Sequence, residues 1–551
     1  MTIAIPADVG RRHRRAGYWT DEWLLDYVSR AVRETPDKQA VVDEQGGYTY
    51  SELWDVARSL TGWLAANGVA RGDTVSVQLP NWREFAAVHL AAEMLGAVTN
   101  PLLPMYRAHE LRHILDACHS RVLVVPQVHR SFDGFVEMAG ELAAELPSLN
   151  GILVVRPHDK VPAPAVSWAE ATSTAPAPMA APVGGDDPVI VTFSSGTESL
   201  PKGCVHSHNT TLYALREGAV RFGLGRPDIV FMPSPLGHTT GFQWGIRMAW
   251  YLGTTLVLQD QWNAAVAADL ITTHRCSYSL AATPFVQELV EQARTSPVRY
   301  DFSCLRMFVC GGAPIPRELV RAARAELAGC ELLACYGTSE TYILSQVGIA
   351  DDEATKKSDG RPLPGVELRA VGPDGRDAAP GGEGECWTRG PHVMLGYLNP
   401  PPGKVPYTPG DWMGVGDYIS IDESSRVRVV GRLKDIIIRG GLNISPLEVE
   451  DALRGCPSVA KVAVVGYADE RLGERACAVV VPRGEPPALK DLTAFLKQSG
   501  VATYKWPEKL LLVDELPMTA SGKVQKFKLR EFARTHPGAP GDVISTVVTP
   551  H

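Results

Sequence analysis

Val189-Ile190-Val191-Thr192-Phe193-Ser194-Ser195-Gly196-Thr197-Glu198-Ser199-Leu200-Pro201-Lys202-Gly203 is the stretch that decides how this chain folds. The β-branched and aromatic run Val189 to Phe193 predicts a fully buried parallel strand, and it empties into hydroxyls, glycines and one lysine. Ser194, Ser195, Thr197 and Ser199 supply hydroxyl donors, Gly196 and Gly203 let backbone N–H groups turn inward, and Lys202 adds a point charge. Such a turn suits a phosphate. A plain Ser/Gly loop is the bland alternative, but such loops seldom follow so apolar a strand or close on Pro-Lys-Gly. The turn is not of the Walker type, because it lacks a Gly-Lys-Ser/Thr ending.

Upstream, strand and helix signals alternate. Trp23, Leu24, Tyr27, Val28 and Val32 recur at helical spacing, and Val41-Val42 and Tyr48-Thr49-Tyr50 flank Gly46-Gly47 as a hairpin does. Thr74 to Leu79 reads as a strand and Pro80-Asn81 as a helix start. An apolar stripe follows through Phe85, Val88, Ala92 and Leu95 to a stop at Gly96, and Val98 to Leu103 is extended again. Val122 to Val125 and Ile152 to Val155 predict two more parallel strands, and the Ala/Pro/Ser/Thr-rich segment from Pro157 to Pro188 an exposed loop. This alternation predicts doubly wound α/β sheets. The basic cluster Arg11 to Arg15 has no apolar run behind it, so a solvated, partly disordered arm is expected there.

Downstream, Met232 to Phe242 carries His238, by itself an ordinary hydrogen-bonded loop histidine. Phe308 to Pro314 and Leu332 to Glu340 are strands ending in small residues, which leave room for a flat ring against backbone. From Glu448 the order helix, two strands, helix, strand makes a compact α+β unit. It closes on Pro517-Met518-Thr519-Ala520-Ser521-Gly522-Lys523, and the tail from His536 is expected to be mobile. The expected fold is a large N-terminal α/β domain of doubly wound sheets followed by a small α+β C-terminal domain.

A length of 551 residues calls for several domains, and 21% charged with 45% hydrophobic residues is globular composition. The net charge of -8 argues against nucleic acid as the main partner. Ten cysteines without a Cys-x-x-Cys pair suit a reducing cytoplasm and offer no zinc site. No apolar run is long enough to cross a bilayer, so no transmembrane segment is expected.

In this order the motifs resemble those of the adenylate-forming (ANL) superfamily: acyl- and aryl-CoA synthetases, luciferases and peptide-synthetase adenylation domains. Their phosphate loop reads Ser/Thr-Ser-Gly-Ser/Thr-Thr-Gly-x-Pro-Lys-Gly; here Glu198 stands at the second Thr and Ser199 at the next Gly. The resemblance implies an AMP-forming acid–thiol ligase that uses ATP, Mg²⁺ and coenzyme A. It implies that Ser194, Ser195, Gly196, Thr197, Lys202 and Gly203 hold phosphates, and that Gly312, Ala313, Tyr336 and Gly337 flank adenine. By the same resemblance Ser339, in place of threonine, is expected to reach the α-phosphate and Glu340 to hold the metal. The resemblance further implies that Asp417 and Arg432 take the ribose, that Gly440 and Gly441 line the pantetheine tunnel, that Lys434 is the hinge and Lys523 the catalytic lysine, and that Gly382 to Glu385 and Gly390 to Tyr397 form a smaller β subdomain closing a first domain over 1–432, ahead of a second over 433–551. The same resemblance makes Lys523, Glu340 and His238 the catalytic residues and His238 a wall of the carboxylate site, with Phe242, Trp244 and Gly312 bordering the same pocket.

Gly17-Tyr18-Trp19, Pro235 to Phe242 and Asp469 to Arg475 look most like medium-chain and cyclohexanecarboxylate-type CoA ligases, which implies a small-molecule carboxylic acid as substrate. Aryl acids stay open, as does a homodimer. Two alternatives stand beside this: a stand-alone adenylating enzyme that loads a separate carrier protein, and an AMP-binding protein that has lost catalysis.

Overall fold

A computed structural model of the chain describes residues 6–180, 183–194, 201–296, 300–311, 315–398, 410–440, 442–469, 471–519, 523–535 and 543–545. The chain divides into two compact units. The first comprises Met1–Gly312, Leu319–Glu367 and Arg389–Met413, the second Ala313–Glu318, Leu368–Thr388 and Gly414–His551.

Among the described residues the first unit carries an eight-stranded and a nine-stranded sheet. The eight-stranded sheet runs Gly396–Tyr397, Lys202–Ser207, Pro188–Ser194, Val98–Pro101, Thr74–Val77, Ser120–Pro126, Gly151–Val155, Val166–Ser167. Its middle is parallel, as the alternating signals predict, with Thr74 opposite Val98 and Val122 opposite Gly151. Pro188–Ser194 departs from the expectation on one edge. It pairs parallel with Val98–Pro101 but antiparallel with Lys202–Ser207, with Ser194 opposite Lys202 and Phe193 opposite Gly203. A short loop can return the chain only as an antiparallel neighbour, whereas a parallel one needs a crossover. The apolar pattern does not distinguish the two, because Cys204 and Val205 on the return strand are fully buried as well.

Two further expectations are corrected. The composition of 157–188 predicts one exposed loop, but Val166–Ser167 pairs at the sheet edge and Trp168–Thr172 is a helix, capped reciprocally by Ser167 and Glu170. The arm is ordered: Ala7–Arg15 is a helix, Arg12 meets Asp411 at 2.8 Å, and Arg14 meets Asp21 at 2.7 Å and Asp186 at 2.8 Å. His13 and Trp19 are buried against each other, and the Trp19 indole N–H donates to the Pro391 carbonyl. Carboxylates distant in sequence balance the basic cluster, a pairing that local composition does not reveal.

The second unit holds a sheet ordered Glu367–Val371, Glu383–Arg389, Met413–Ile421, Val427–Arg432. The other expected member of the small subdomain, Gly396–Tyr397, belongs to the eight-stranded sheet instead, beside the return strand. The C-terminal part is the expected α+β unit. Val459–Asp469 and Gly473–Pro482 form a long antiparallel pair, Lys509–Leu512 adds in parallel, and helices Pro446–Leu453 and Leu489–Gln498 pack over one face through Val449, Leu453, Leu492 and Leu496. In the tail, Val543–Ser545 pairs with Lys509–Leu512.

Candidate active site

The phosphate strand ends at Ser194, and the return strand starts at Lys202 and buried Gly203. Ser195, Gly196, Thr197, Glu198 and Ser199 lie outside the described residues, as do Gly312, Ala313 and Gly441. Two groups from elsewhere in the chain gather at the described end of the loop. Gly396–Tyr397 pairs with the return strand, Tyr397 opposite Cys204, and brings the Tyr397 ring to 5.8 Å from the Lys202 ammonium. The Tyr397 hydroxyl donates to Glu340 Oε1 at 2.8 Å, and the Met394 amide donates to the Glu340 carbonyl at 2.9 Å. Lys202 and Glu340, far apart in sequence, thus share one aromatic neighbour. Burial pushes the Cys204 thiol well above its ordinary value, with the Glu340 charge adding to the effect, so it is no nucleophile here.

Strand Glu331–Tyr336 delivers the Tyr336-Gly337-Thr338-Ser339-Glu340 turn. The turn folds so tightly that a Cβ on Gly337 would lie 1.9 Å from the Tyr342 carbonyl oxygen, and Tyr342 takes φ of 56°. His206 fixes the turn from the return strand, its ring 4.1 Å from that of Tyr342 and its Nε2 2.8 Å from the Ser339 carbonyl. A carbonyl only accepts, so Nε2 carries the proton. Burial lowers the His206 pKa to about 4, and the ring is neutral at physiological pH.

His238 sits in extended backbone ahead of Thr239–Gly241, and its Nδ1 accepts the Thr240 amide at 3.2 Å. With Nδ1 so engaged, the neutral ring holds its proton on Nε2, the form that donates to a carboxylate. Thr239 links this segment to the turn, its hydroxyl 3.3 Å from Ser339 Oγ. Phe242–Arg247 is a π-helix, a rare form that is frequent at functional sites. Phe242 is buried against Phe85 and His89 at ring distances of 5.9 Å and 4.6 Å, and Trp244 is buried against Gly218. Behind them the fully buried Arg247 donates to Glu93 at 2.6 Å and to Thr211 at 3.0 Å, and the Trp23 indole donates to the other Glu93 oxygen at 2.8 Å.

In the second unit Asp417 lies opposite Arg432 in an antiparallel pair, their charged atoms 4.0 Å apart. Lys434 lies in the turn Leu433–Asp435, and its carbonyl accepts from Arg530 at 3.0 Å. Asp435 pairs with the same guanidinium. Gly440 takes φ of 58°, which glycine alone adopts freely, and its amide donates to the Leu472 carbonyl. Lys523 closes a small loop: its amide donates to Thr519 Oγ1 at 3.0 Å and its carbonyl accepts from the Thr519 amide at 2.7 Å.

Sequence motifs alone do not single out Tyr397, His206, Glu93 or Arg247. His206 reads as one more residue of a buried strand, and Glu93 and Arg247 as solvated helix charges. Only Tyr397 carries a signal, a lone aromatic after Gly396.

The model for the AMP-binding enzyme family matches residues 28–398, and that for the AMP-binding enzyme C-terminal domain matches residues 448–523. The chain belongs to the AMP-binding enzymes. It is 38% identical over 546 residues to the medium-chain fatty-acid–CoA ligase of Escherichia coli (strain K12), covering 96% of this chain and 94% of that protein. With the salicyl-AMP ligase / salicyl-S-ArCP synthetase of Mycobacterium tuberculosis it shares 32% identity over 537 residues, 95% of this chain and 93% of that one. The ATP-bound structure of MatB from Rhodopseudomonas palustris superposes with a TM-score of 0.82 at 26% identity, covering 93% of this chain and 99% of that one. The expected membership of the adenylate-forming superfamily, the fold class and the assignment as an AMP-forming ligase all stand. Among the described residues no helix is long and apolar enough to cross a membrane.

Proposed function

We propose that this AMP-binding enzyme activates a medium-chain or alicyclic carboxylic acid as its acyl-adenylate and passes the acyl group to coenzyme A in the cytoplasm. The carrying observation is the convergence of Lys202, Tyr397 and Glu340 at the mouth of the phosphate strand. A carboxylate oxygen of the acid bonds to the α-phosphorus of ATP, and the bond from that phosphorus to pyrophosphate breaks. The thiolate of CoA then bonds to the acyl carbon and AMP leaves.

The first step brings an anion to a polyanion, so it needs positioning and positive charge more than acid–base chemistry. Ser194, Ser195, Gly196, Thr197, Lys202 and Gly203 take the phosphates in this reading. Gly312, Ala313, Tyr336 and Gly337 flank the adenine, Ser339 takes the α-phosphate, and Asp417 and Arg432 hold the ribose. Lys523 bridges the entering carboxylate and the α-phosphate, and His238 Nε2–H orients that carboxylate beside Phe242 and Trp244. Rotation about Lys434, between 1–432 and 433–551, then brings Gly440 and Gly441 to the thiol.

Mg²⁺ suits Glu340, which accepts one hydrogen bond from Tyr397 and keeps further lone pairs on its oxygens. Mg²⁺ is commonly held by one or two carboxylates together with substrate phosphates, a role that Glu340 would fill here. When bound, it offsets the charge on pyrophosphate.

A second reading, loading of a carrier protein, draws on the likeness to the salicyl-AMP ligase / salicyl-S-ArCP synthetase. A panel of short- to long-chain, alicyclic and aryl acids, scored for AMP release with and without CoA, tests both. CoA-dependent release with medium-chain or alicyclic acids is expected. Pyrophosphate exchange that CoA never carries on to a thioester would overturn the CoA reading in favour of the carrier.

A further inference from the structure

We infer that His113 is a positioning residue for the phosphate loop, holding the peptide on which Lys202 is mounted. This rests on the reading of residues 189–203 as an ATP site. Helix Ala108–Ala117 reaches the described residue that leads into Lys202: His113 Nε2 lies 3.1 Å from the Pro201 carbonyl oxygen. The helix belongs to the same packed body as the phosphate strand: Leu111, Ile114 and Leu115 are fully buried in a cluster against which Phe193 packs. The helix backbone therefore does not drift relative to the strand, and His113 transmits that rigidity to the loop's exit.

The Pro201 carbonyl belongs to the same planar peptide as the Lys202 N–H, so fixing one fixes the other and the direction in which Lys202 leaves the backbone. Pro201 has no N–H of its own to secure the turn. After Lys202, the ladder with Ser194 and the Leu398 amide, which donates to the Gly203 carbonyl at 2.7 Å, take over. His113 thus supplies a side-chain tether just upstream of the paired strand.

A carbonyl can only accept, so His113 donates through Nε2–H. A donor is what the position needs, and an imidazole is not essential. His113 is half-buried on a helix surface, so its replacement leaves the core intact.

The test compares wild type, His113→Gln and His113→Leu in acid-dependent ATP–pyrophosphate exchange, with thermal midpoints measured alongside. His113→Leu is expected to raise KM for ATP about 3- to 10-fold, the scale of one lost hydrogen bond. KM for the acid and the thermal midpoint should change little, and His113→Gln should restore KM for ATP. An unchanged KM for ATP in His113→Leu overturns the tether. Equal losses in stability and in every kinetic constant, unrelieved by glutamine, also overturn it by making His113 merely structural. Absence of exchange in the wild type with every acid would instead remove the ATP reading on which the tether depends.

Discussion

Glu93 and Arg247 form an ion pair with both side chains almost wholly out of water. Burial is the largest single influence and would raise the Glu93 carboxyl, but the Arg247 guanidinium together with the neighbouring His208 and His89 holds it below the usual carboxylate range. Glu93→Gln leaves a buried cation unbalanced and is expected to cost about 3–5 kcal/mol, read as a fall in the urea midpoint. Replacing both partners, as in Glu93→Leu with Arg247→Met, should recover most of that loss. At Tyr397 the expected effect is on function. Tyr397→Phe removes the hydroxyl that orients Glu340 and should raise the Mg²⁺ concentration for half-maximal activity about 3- to 10-fold, without moving the thermal midpoint. Neither pair is legible in the sequence, because each joins residues on different elements and local patterns report only near neighbours.

At the scale of elements, the C-terminal helix Lys526–Thr535 is tied down at two points. Lys526 meets buried Glu450 at 2.6 Å, and Arg530 holds the Lys434 carbonyl and the Asp435 carboxylate. The loop of Lys523 immediately precedes this helix, so the proposed hinge and the proposed catalytic lysine share one rigid support. Arg530→Ala should slow both half-reactions, because the turn after Arg432 and the start of the helix then move independently. A drop of about 10-fold is expected in single-turnover adenylation, the scale of a lost charge-assisted hydrogen bond. Wild-type rates in both halves would remove the coupling. Strand and helix positions are largely legible in the sequence, since Thr74 to Leu79 alternates, Val122 to Val125 is an unbroken apolar run and the stripe from Phe85 to Leu95 keeps helical spacing. The antiparallel return at Lys202 is not, because a fully buried strand reads the same whichever way its neighbour runs. The helix that carries Arg11 to Arg15 escapes notice for a related reason, its partners Asp186 and Asp411 being far away in the chain.

Across the whole molecule, five histidines among the described residues are buried in the first unit. Burial lowers the pKa of His13, His206 and His208 to about 4 and of His89 and His392 to about 3. The unfolded chain takes up those protons near the ordinary value of about 6.5. Between that value and about 4 the unfolded state binds more protons, so stability is fully present above the unfolded pKa and falls as the pH drops through this window. Each ring contributes up to about 1.4 kcal/mol per pH unit. The urea midpoint of the first unit should therefore decline steeply below neutral pH, and a flat profile down to about pH 4 would contradict the burial of these rings.

In the proposed mechanism a serine-rich turn holds ATP while Lys523 meets it for adenylation and then withdraws. This is tested most directly by measuring the two half-reactions separately in wild type and Lys523→Ala. The account predicts that acyl-adenylate formation falls about 10²–10³-fold, the scale of one lost transition-state donor, while thioester formation from a presynthesised acyl-adenylate is spared. Equal losses in both halves, or wild-type adenylation in the variant, would contradict it.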